Sequence, residues 1–454
     1  MPFASVNPAT GEVLEQYDEH SSEETLRRID LAATAFRAWR ETDFAHRAGL
    51  MHRAAAELHA RREDYARMMT HEMGKPITQA RAEVDKCALV CDWYAENAEH
   101  ILQKEVMPSD ASESYVRFDP IGPVLAVMPW NFPFWQVFRF AAPALMAGNT
   151  GLLKHASNVP GCALMIEDVF RRAGFPEGCF QTLLIGSGAV KAVITHPAVV
   201  AATLTGSESA GSHVASDAGR ELKKTVLELG GSDPFIVLDD ADVDQAARTG
   251  AMARMINTGQ SCIAAKRFIV TERVAERFTA LFTHAVAGMK TGDPLQDDTE
   301  VGAMAREDLL LDLDAQVRAS VALGAEVLTG GRRLDGPGAF YMPTVLGNVR
   351  KGMPVFDEET FGPVAAVIVV RDEDEAITVA NDSAFGLGAS LWTRDRARAE
   401  RLAPRIEAGS VFVNGLVKSD PRLPFGGVKR SGYGRELSHY GIREFVNIKT
   451  VWIA

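Results

Sequence analysis

The sequence predicts an α/β fold of two domains, each built on a parallel β-sheet. Its 454 residues exceed the roughly 250–300 at which a single hydrophobic core stops growing. Short apolar runs that end in turn residues are each followed by a helical stretch, which is the βαβ pattern. These units fall into two series, one beginning near Val124 and one near Pro234. We therefore place the junction of the two domains near Gly230 and Gly231.

The N-terminal region is predicted to be helical. Ser21 followed by Glu24 has the spacing of a capping box, and a long helical region is expected over residues 47–100. The segment SESYVRFDPIGPV (112–124) then has strand character with a Pro-Gly-Pro interruption, which is typical of a hairpin arm.

The strands of both sheets are predicted from continuous apolar runs, because parallel strands are covered on both faces. The runs of the first series span 124–128, 150–154, 181–185 and 200–205. Those of the second span 234–240, 267–272, 364–370 and 410–415, with helices expected over 242–256 and 303–323.

Composition excludes several classes of function. A net charge of −12 lacks the positive surface that a nucleic-acid binder needs. The most apolar run, 364–370, is far below the roughly 20 residues of a membrane span. Five cysteines form no disulfide framework, and Cys87 and Cys91 lack the further ligands of a zinc site, so no metal is predicted. Without a recognisable signal peptide, the expected location is the cytoplasm.

Three residues are candidates for chemistry, each with an ordinary alternative. Cys262 lies in a polar, glycine-containing stretch, as a reactive thiol requires, although such a cysteine can equally be inert. Glu228 ends an apolar strand, where burial would raise its pKa toward that of a base, or it faces solvent. Asn131 in a hydrophobic loop is either an oxyanion donor or a turn residue.

Residues at strand ends indicate a nucleotide site, but weakly. The turn at 206–211 could present backbone N–H groups to a pyrophosphate at a helix N-terminus, or it could be a plain connection. Lys154 ends a strand at the same predicted sheet edge and could equally be a surface lysine.

Together these residues belong to motifs that resemble the aldehyde dehydrogenase superfamily over about 430 residues. The motifs occur in the family's order: NPATGE (7–12), PWNFP (129–133), LELGG (227–231), GQSC (259–262), EETFGP (358–363) and PFGGVKRSGYGRE (424–436). The resemblance implies two doubly wound parallel-sheet domains and a small β oligomerisation arm. It implies Cys262 as nucleophile, Asn131 as oxyanion donor and Glu228 as the base that hydrolyses a thioester. Relatives that transfer the acyl group to coenzyme A typically lack this glutamate, so the presence of Glu228 favours hydrolysis.

The resemblance also implies a nicotinamide cofactor. Asn131 and eight further residues are expected to contact it: Trp130, Lys154, Ser157, Gly206, Ser207, Leu229, Glu359 and Phe361. A glutamate at position 157 would repel a 2′-phosphate, whereas Ser157 offers a donor, so NADP is predicted in preference to NAD. NAD remains the alternative.

The finer likeness is to succinate-semialdehyde dehydrogenases. Arg139 stands eight residues after Asn131, where that subgroup carries an arginine for the substrate carboxylate. The alternative is that Arg139 pairs with a protein acid. Trp135 and Phe425 would enclose the aldehyde chain, and Ser419 would donate to the carboxylate. Other aldehydes, such as glutarate semialdehyde or a small neutral aldehyde, remain alternatives, as does a non-catalytic binding protein.

The resemblance assigns domains as well. The cofactor-binding domain comprises residues 1–110 and 122–229, and the catalytic domain comprises residues 230–432. Residues 111–121 and 433–454 form the oligomerisation arm and C-terminal strand, from which a homodimer or homotetramer is expected.

Overall fold

The computed structural model describes residues 3–454. Met1 and Pro2, with which the predicted cofactor-binding domain begins, lie outside the described residues. The α-helices are α1 Ser22–Trp39, α2 Phe44–Ala60, α3 Arg62–Met73, α4 Ile77–Ile101, α5 Trp135–Met146, α6 Pro160–Arg172, α7 Val190–Thr195, α8 Glu208–Arg220, α9 Val243–Met255, α10 Glu272–Ala287, α11 Glu307–Ala322, α12 Pro354–Asp357, α13 Glu373–Asn381, α14 Arg396–Leu402 and α15 Ser438–Ile442.

The strands alternate with these helices through most of the chain. They are β1 Phe3–Val6, β2 Val13–Tyr17, β3 Glu105–Val106, β4 Glu113–Pro120, β5 Pro123–Met128, β6 Thr150–His155, β7 Phe180–Thr182, β8 Ala201–Thr205, β9 Lys224–Glu228, β10 Pro234–Val237, β11 Arg267–Thr271, β12 Glu326–Thr329, β13 Thr344–Gly347, β14 Val364–Val370, β15 Phe385–Gly386, β16 Gly388–Trp392, β17 Ser410–Val413, β18 Val428–Lys429, β19 Gly432–Tyr433 and β20 Val446–Ile453.

Two parallel sheets confirm the predicted fold class. The first has the strand order β19-β9-β8-β5-β6-β7 and is parallel except for the short β19. The second has the order β12-β13-β14-β11-β10-β16-β17 and is parallel except at β12. Most strands are buried along their length, as the continuous apolar runs predicted.

The first sheet brings several functional candidates to one edge. In β8 and β9, Thr205 pairs with Glu228, and in β5 and β6, Val127 pairs with Lys154. Because these strands are parallel, the residues that follow each of them emerge at the same carboxyl edge, where open α/β sheets bind ligands.

A third sheet of order β20-β4-β3 is antiparallel throughout. Strand β4 covers most of the predicted arm, and it pairs along its whole length with the C-terminal strand β20. None of the helices in residues 3–454 combines the length and apolarity that a bilayer crossing needs.

The predicted helical region over residues 47–100 is helical and consists of the three helices α2, α3 and α4. Helix α1 begins as predicted, with the Ser21 hydroxyl accepting from the backbone N–H of Glu24 at 3.1 Å. Gly74, with φ of 74°, ends α3, and Pro76 precedes α4. Helix α4 packs against α2, α3 and α5, so it forms one wall of the site described below.

Candidate active site

Cys262 follows residues 256–261, here named the cysteine loop, in which the backbone turns sharply after helix α9. Asn257 and Thr258 have positive φ angles of 54° and 57°, and Gly259 has φ of 73°. Left-handed backbone costs on the order of 1–3 kcal/mol at a residue with a side chain, so neighbouring groups must hold this loop.

Buried cations hold the loop through its carbonyl groups. The Arg254 guanidinium donates to the carbonyls of Gly259 at 3.2 Å, Ala265 at 3.3 Å and Thr360 at 2.9 Å. The Lys266 ammonium donates to the carbonyl of Cys262 at 2.9 Å. These bonds join the cysteine loop to the segment that carries Glu359 and Phe361.

The Cys262 thiol is partly accessible, and the other four cysteines are buried. Burial raises the pKa of Cys262 to about 12, against the opposing positive charges of Arg139 and Lys266. The thiol is therefore protonated at neutral pH in the ligand-free chain.

The Asn131 amide is oriented toward the cysteine loop. Its Nδ2 donates to the carbonyl oxygen of Gln260 at 3.0 Å, and its Oδ1 accepts from Gln136 Nε2 at 3.1 Å. Because Gln136 uses the oxygen, the amide N–H groups face the loop, and one N–H hydrogen is left over after the bond to Gln260.

Glu228 is a buried carboxyl group without a hydrogen-bond partner. Its side chain lies beside Gly426, and neither carboxyl oxygen has a partner within residues 3–454. Burial raises its pKa well above the ordinary value, and the nearby Glu436 raises it further, while Arg139 opposes both. A carboxylate whose pKa is raised in this way binds a proton more strongly when it is ionised, which suits a general base.

Arg139 is an ion-pair partner of Glu436. The side chain of Arg139 is only 3% exposed, its Nε pairs with the Glu436 carboxylate, and its Nη2 donates to Thr205 Oγ1 at 3.3 Å. Its guanidinium also stacks over the Phe425 ring at 4.5 Å. The alternative left open by the sequence, a protein acid as partner, is therefore realised, and a role for Arg139 in substrate binding stays a prediction.

One cavity of about 460 Å³ collects the predicted substrate residues around the thiol. Its wall includes Cys262, Arg139, Trp135, Ser419 and Phe425. Trp135 and Arg139 lie one turn apart on α5, whose first N–H groups donate to buried Glu83. Asn131 and Glu228 do not line this cavity: Asn131 bonds to the carbonyl of Gln260, and Glu228 lies beside Gly426.

Lys86 also lines this cavity and was not predicted from the sequence; it contacts both Ser419 and Trp135. Lys86, on helix α4, donates from Nζ to Ser419 Oγ at 2.7 Å, and its ammonium lies 4.0 Å from the centroid of the Trp135 ring. Nothing in the sequence distinguishes Lys86 from the solvent-facing charges of the same helix, because its neighbours in space come from residues far along the chain.

Predicted cofactor residues gather at the carboxyl edge of the first sheet. Gly206 donates its backbone N–H to the carbonyl of Glu228 at 3.0 Å, and Ser207 caps helix α8. Burial lowers the pKa of Lys154 at the end of β6. The Leu229 side chain packs against Gly211, where a Cβ atom would lie 2.6 Å from it. This edge offers a helix N-terminus and a cation to a phosphate-bearing ligand.

The aromatic and acidic members of the predicted cofactor set contact one another or the residues that hold the cysteine loop. Trp130 and Phe361 pack edge to face with ring centroids 5.7 Å apart. Glu359 accepts from the backbone N–H of Gly231 at 3.0 Å and lies 3.6 Å from Lys266 Nζ. Burial raises the pKa of Glu359, and Lys266 opposes this shift.

Ser157 borders a second cavity, of about 580 Å³, which Arg306 also lines. A hydroxyl and a guanidinium beside one opening suit a phosphate group, and the Arg306 guanidinium also pairs with Asp308, with Nη2 2.6 Å from Oδ2. Glu307 lines the same cavity but pairs with Arg333. The hydroxyl and guanidinium of this cavity therefore fit the phosphate of a phosphorylated dinucleotide.

A family model and several known proteins match this chain over its full length. The model of the aldehyde dehydrogenase family matches residues 1–451. A probable succinate-semialdehyde dehydrogenase [NADP(+)] of Synechocystis sp. is 55% identical over 454 residues and covers 100% of both chains. Succinate-semialdehyde dehydrogenase [NADP(+)] 1 of Mycobacterium bovis is 53% identical, again with 100% of both chains covered.

A solved structure has the same fold. The crystal structure of succinic semialdehyde dehydrogenase from Streptococcus pyogenes, in complex with NADP+, superimposes with a TM-score of 0.97 at 39% identity and covers 99% of both chains.

Proposed function

Because the chain belongs to the aldehyde dehydrogenase family, we propose that it oxidises succinate semialdehyde to succinate with NADP+ as the oxidant. The observation that carries this proposal is the cavity in which the Cys262 thiol shares its surroundings with apolar rings and with donors suited to a carboxylate. The names of the most similar relatives support the same substrate and cofactor.

The reaction begins with attack by Cys262. The thiol loses its proton to solvent, and its sulfur forms a bond to the aldehyde carbon, so that the carbonyl oxygen becomes negatively charged. The remaining N–H of Asn131 and the backbone N–H of Cys262 are the donors proposed for this oxyanion. A donor of this kind contributes about 3–4 kcal/mol in other enzymes.

Oxidation then leaves an acyl group on the sulfur. When bound, the oxidised nicotinamide supplies a hydride acceptor and a positive charge. Loss of the hydride from the substrate carbon restores the carbonyl and produces a thioester on Cys262. Glu228, in its ionised form, takes a proton from water, and the water oxygen attacks the thioester carbon. The carbon–sulfur bond then breaks, which releases succinate and leaves Cys262 as a thiolate, and Glu228 gives up its proton to solvent.

We assign the cofactor to the carboxyl edge of the first sheet. Lys154, Gly206, Ser207 and Leu229 line the adenosine side, and Ser157 with its cavity is proposed for the 2′-phosphate. Trp130, Asn131, Glu359 and Phe361 surround the nicotinamide side, with Glu359 on the ribose.

We also propose the predicted division of the chain. Residues 1–110 and 122–229 bind the cofactor, residues 230–432 carry the nucleophile, and the arm with the C-terminal strand builds a homodimer or homotetramer. The expected location is the cytoplasm.

A kinetic matrix tests the proposal. Succinate semialdehyde, glutarate semialdehyde and butanal are each assayed with NADP+ and NAD+ by the absorbance of reduced nicotinamide. We expect the highest kcat/KM for succinate semialdehyde with NADP+. Butanal as the best substrate, or no reduced nicotinamide with any pair, would overturn the proposal.

A further inference from the structure

Lys86 places a positive charge inside the cavity and has no acidic partner. Its ammonium contacts Ser419 and the Trp135 ring, and no carboxylate lies within ion-pair distance of it in the described part of the chain. The hydroxyl and the aromatic ring replace part of the water around this ammonium. Because an ammonium has three N–H donors and the hydroxyl accepts from one, N–H groups remain that can donate to an anion.

The other cations of the cavity wall are less suited to this role. Arg139 is engaged by Glu436 and Thr205. Lys418 is exposed to solvent, where water weakens its attraction for an anion. The acids Asp297 and Asp298, which also line the cavity, pair with Arg81 and Lys290.

Ser419 is oriented to donate as well. Its oxygen accepts from Lys86 Nζ at 2.7 Å and from Trp135 Nε1 at 3.0 Å. A hydroxyl has two acceptor lone pairs and one proton, so both lone pairs are used and the O–H remains to be donated. Trp135 therefore fixes the serine, and the serine and lysine present their hydrogens together.

We propose that Lys86, with the Ser419 hydroxyl, binds the carboxylate at the far end of the substrate and is the residue that selects carboxylated aldehydes over neutral ones. This inference rests on the proposed function and deepens it. Arg139, which pairs with Glu436, lines the same cavity, and its predicted contact with the substrate carboxylate stays a prediction.

The protonation state of Lys86 is compatible with this role. Burial, together with the positive charge of Arg139, lowers its pKa to about 8, and the negative charges of Glu83 and Asp420 oppose this shift. The ammonium form therefore still dominates at neutral pH. Binding a carboxylate beside it would offset the unfavourable burial of the charge.

The test compares Lys86→Met with Lys418→Met. Both variants remove one positive charge from the same cavity wall, but only the first removes the buried ammonium. For each, kcat/KM is measured with succinate semialdehyde and with butanal, which has the same chain length without the carboxylate. Hydrogen bonds to charged groups are worth enough to change selectivity by about 10–100-fold. We expect the ratio of the two kcat/KM values to fall by that factor in Lys86→Met, mainly through KM, and to stay within about twofold in Lys418→Met.

Two further variants keep the inference falsifiable if Lys86→Met folds poorly. Lys86→Arg retains the charge and should recover part of the selectivity, and Ser419→Ala should lose part of it. Inhibition by succinate supplies a readout independent of turnover, and it should weaken in Lys86→Met.

The outcomes separate this inference from the proposed function. If the wild-type protein prefers butanal, the function itself is wrong. If it prefers succinate semialdehyde and this preference survives in Lys86→Met, or is lost equally in Lys418→Met, only the role of Lys86 is overturned.

Discussion

Cys262 differs from the other four cysteines in both position and surroundings. It is partly accessible at the cavity, whereas burial raises the pKa of Cys179 to about 12 and those of Cys87, Cys91 and Cys162 well above the ordinary value. Accessibility, more than acidity, therefore distinguishes the proposed nucleophile in the ligand-free chain.

This difference predicts selective, pH-dependent alkylation. Only the thiolate reacts with iodoacetamide. For a thiol with a pKa near 12, the thiolate fraction rises about tenfold with each unit of increase in pH, as long as the pH stays below the pKa. In the native, ligand-free protein, Cys262 should be labelled alone, and its rate should rise about tenfold per unit between pH 7 and pH 9. Peptide mass spectrometry measures site and rate. A rate that levels off near pH 7 would show that the thiolate is already formed.

Ser157 carries the prediction for cofactor choice. In Ser157→Glu, a carboxylate would face the cavity shared with Arg306, where it repels a 2′-phosphate and accepts from ribose hydroxyls. We expect the ratio of kcat/KM for NADP+ over NAD+ to fall by about 10–100-fold. Ser157→Ala, which removes the donor without adding charge, should give a smaller fall. An unchanged ratio in Ser157→Glu would remove this position from cofactor selection.

Individual functional residues are predictable from the sequence when they lie in recognisable motifs. Residues that act through contacts with distant parts of the chain are not. Cys262, Asn131 and Glu228 were identified because short segments around them resemble the family. The partnership of Glu436 with Arg139 joins residues 297 positions apart, and Lys86 resembles any charge on an amphipathic helix, so neither role has a local signal.

Strand and helix boundaries followed the apolar pattern closely where elements are buried. Strand β14 spans the predicted 364–370, and helix α9, Val243–Met255, lies within the predicted 242–256. In the N-terminal region the prediction of helix over residues 47–100 is confirmed, but the apolar pattern did not locate the break between α3 and α4, where Gly74 ends one helix and Pro76 precedes the next. It also missed the left-handed turn before Cys262, since Asn257 and Thr258 are held by tertiary bonds and not by their own preferences.

The cysteine loop predicts a strong effect of a single methyl group. At Gly259, with φ of 73°, an added Cβ would overlap the backbone carbonyl of Gly362. Gly259→Ala should therefore displace the loop, lower kcat at least about tenfold, and cost more than the roughly 1–2 kcal/mol expected for left-handed backbone alone. Thermal unfolding and steady-state kinetics measure both effects.

Gly352→Ala is the matched control for this variant. Gly352 has φ of 92°, and no atom lies within 4 Å of an added Cβ, so only the backbone cost applies. We expect a modest loss of stability with kcat retained. Equal losses in the two variants would mean that the contact with Gly362 does not position the loop.

The arrangement of the strands in the sheets depends on pairings between distant parts of the chain. The short strand β19, at Gly432 and Tyr433, returns to pair with β9 of the first sheet, which the two-series pattern did not predict. Such a return brings Glu436 to the first sheet's carboxyl edge, beside Arg139 and Glu228. The order of strands could not be predicted from local sequence, because it depends on long-range packing.

The three-stranded sheet predicts how copies of the chain associate. Its C-terminal strand exposes Ile448 by 62% and Trp452 by 53%, and these residues alternate onto one face of β20. Ile448→Asp combined with Trp452→Asp should therefore reduce the assembly from the proposed dimer or tetramer to smaller species, as measured by sedimentation. Leu222→Asp, at an apolar side chain that is 95% exposed outside this sheet, should leave the assembly unchanged. A wild-type protein that sediments as a monomer would contradict the proposal.

The proposed mechanism requires a covalent acyl group on Cys262 that Glu228 helps to hydrolyse. This species can be observed directly. Glu228→Gln is mixed with succinate semialdehyde and NADP+, quenched rapidly and digested for mass spectrometry. We predict a burst of about one NADPH per chain, a succinyl group on the Cys262 peptide, and slow turnover thereafter. Cys262→Ala should give neither burst nor adduct. Normal turnover in Cys262→Ala, or an acyl group on any other residue, would contradict the mechanism.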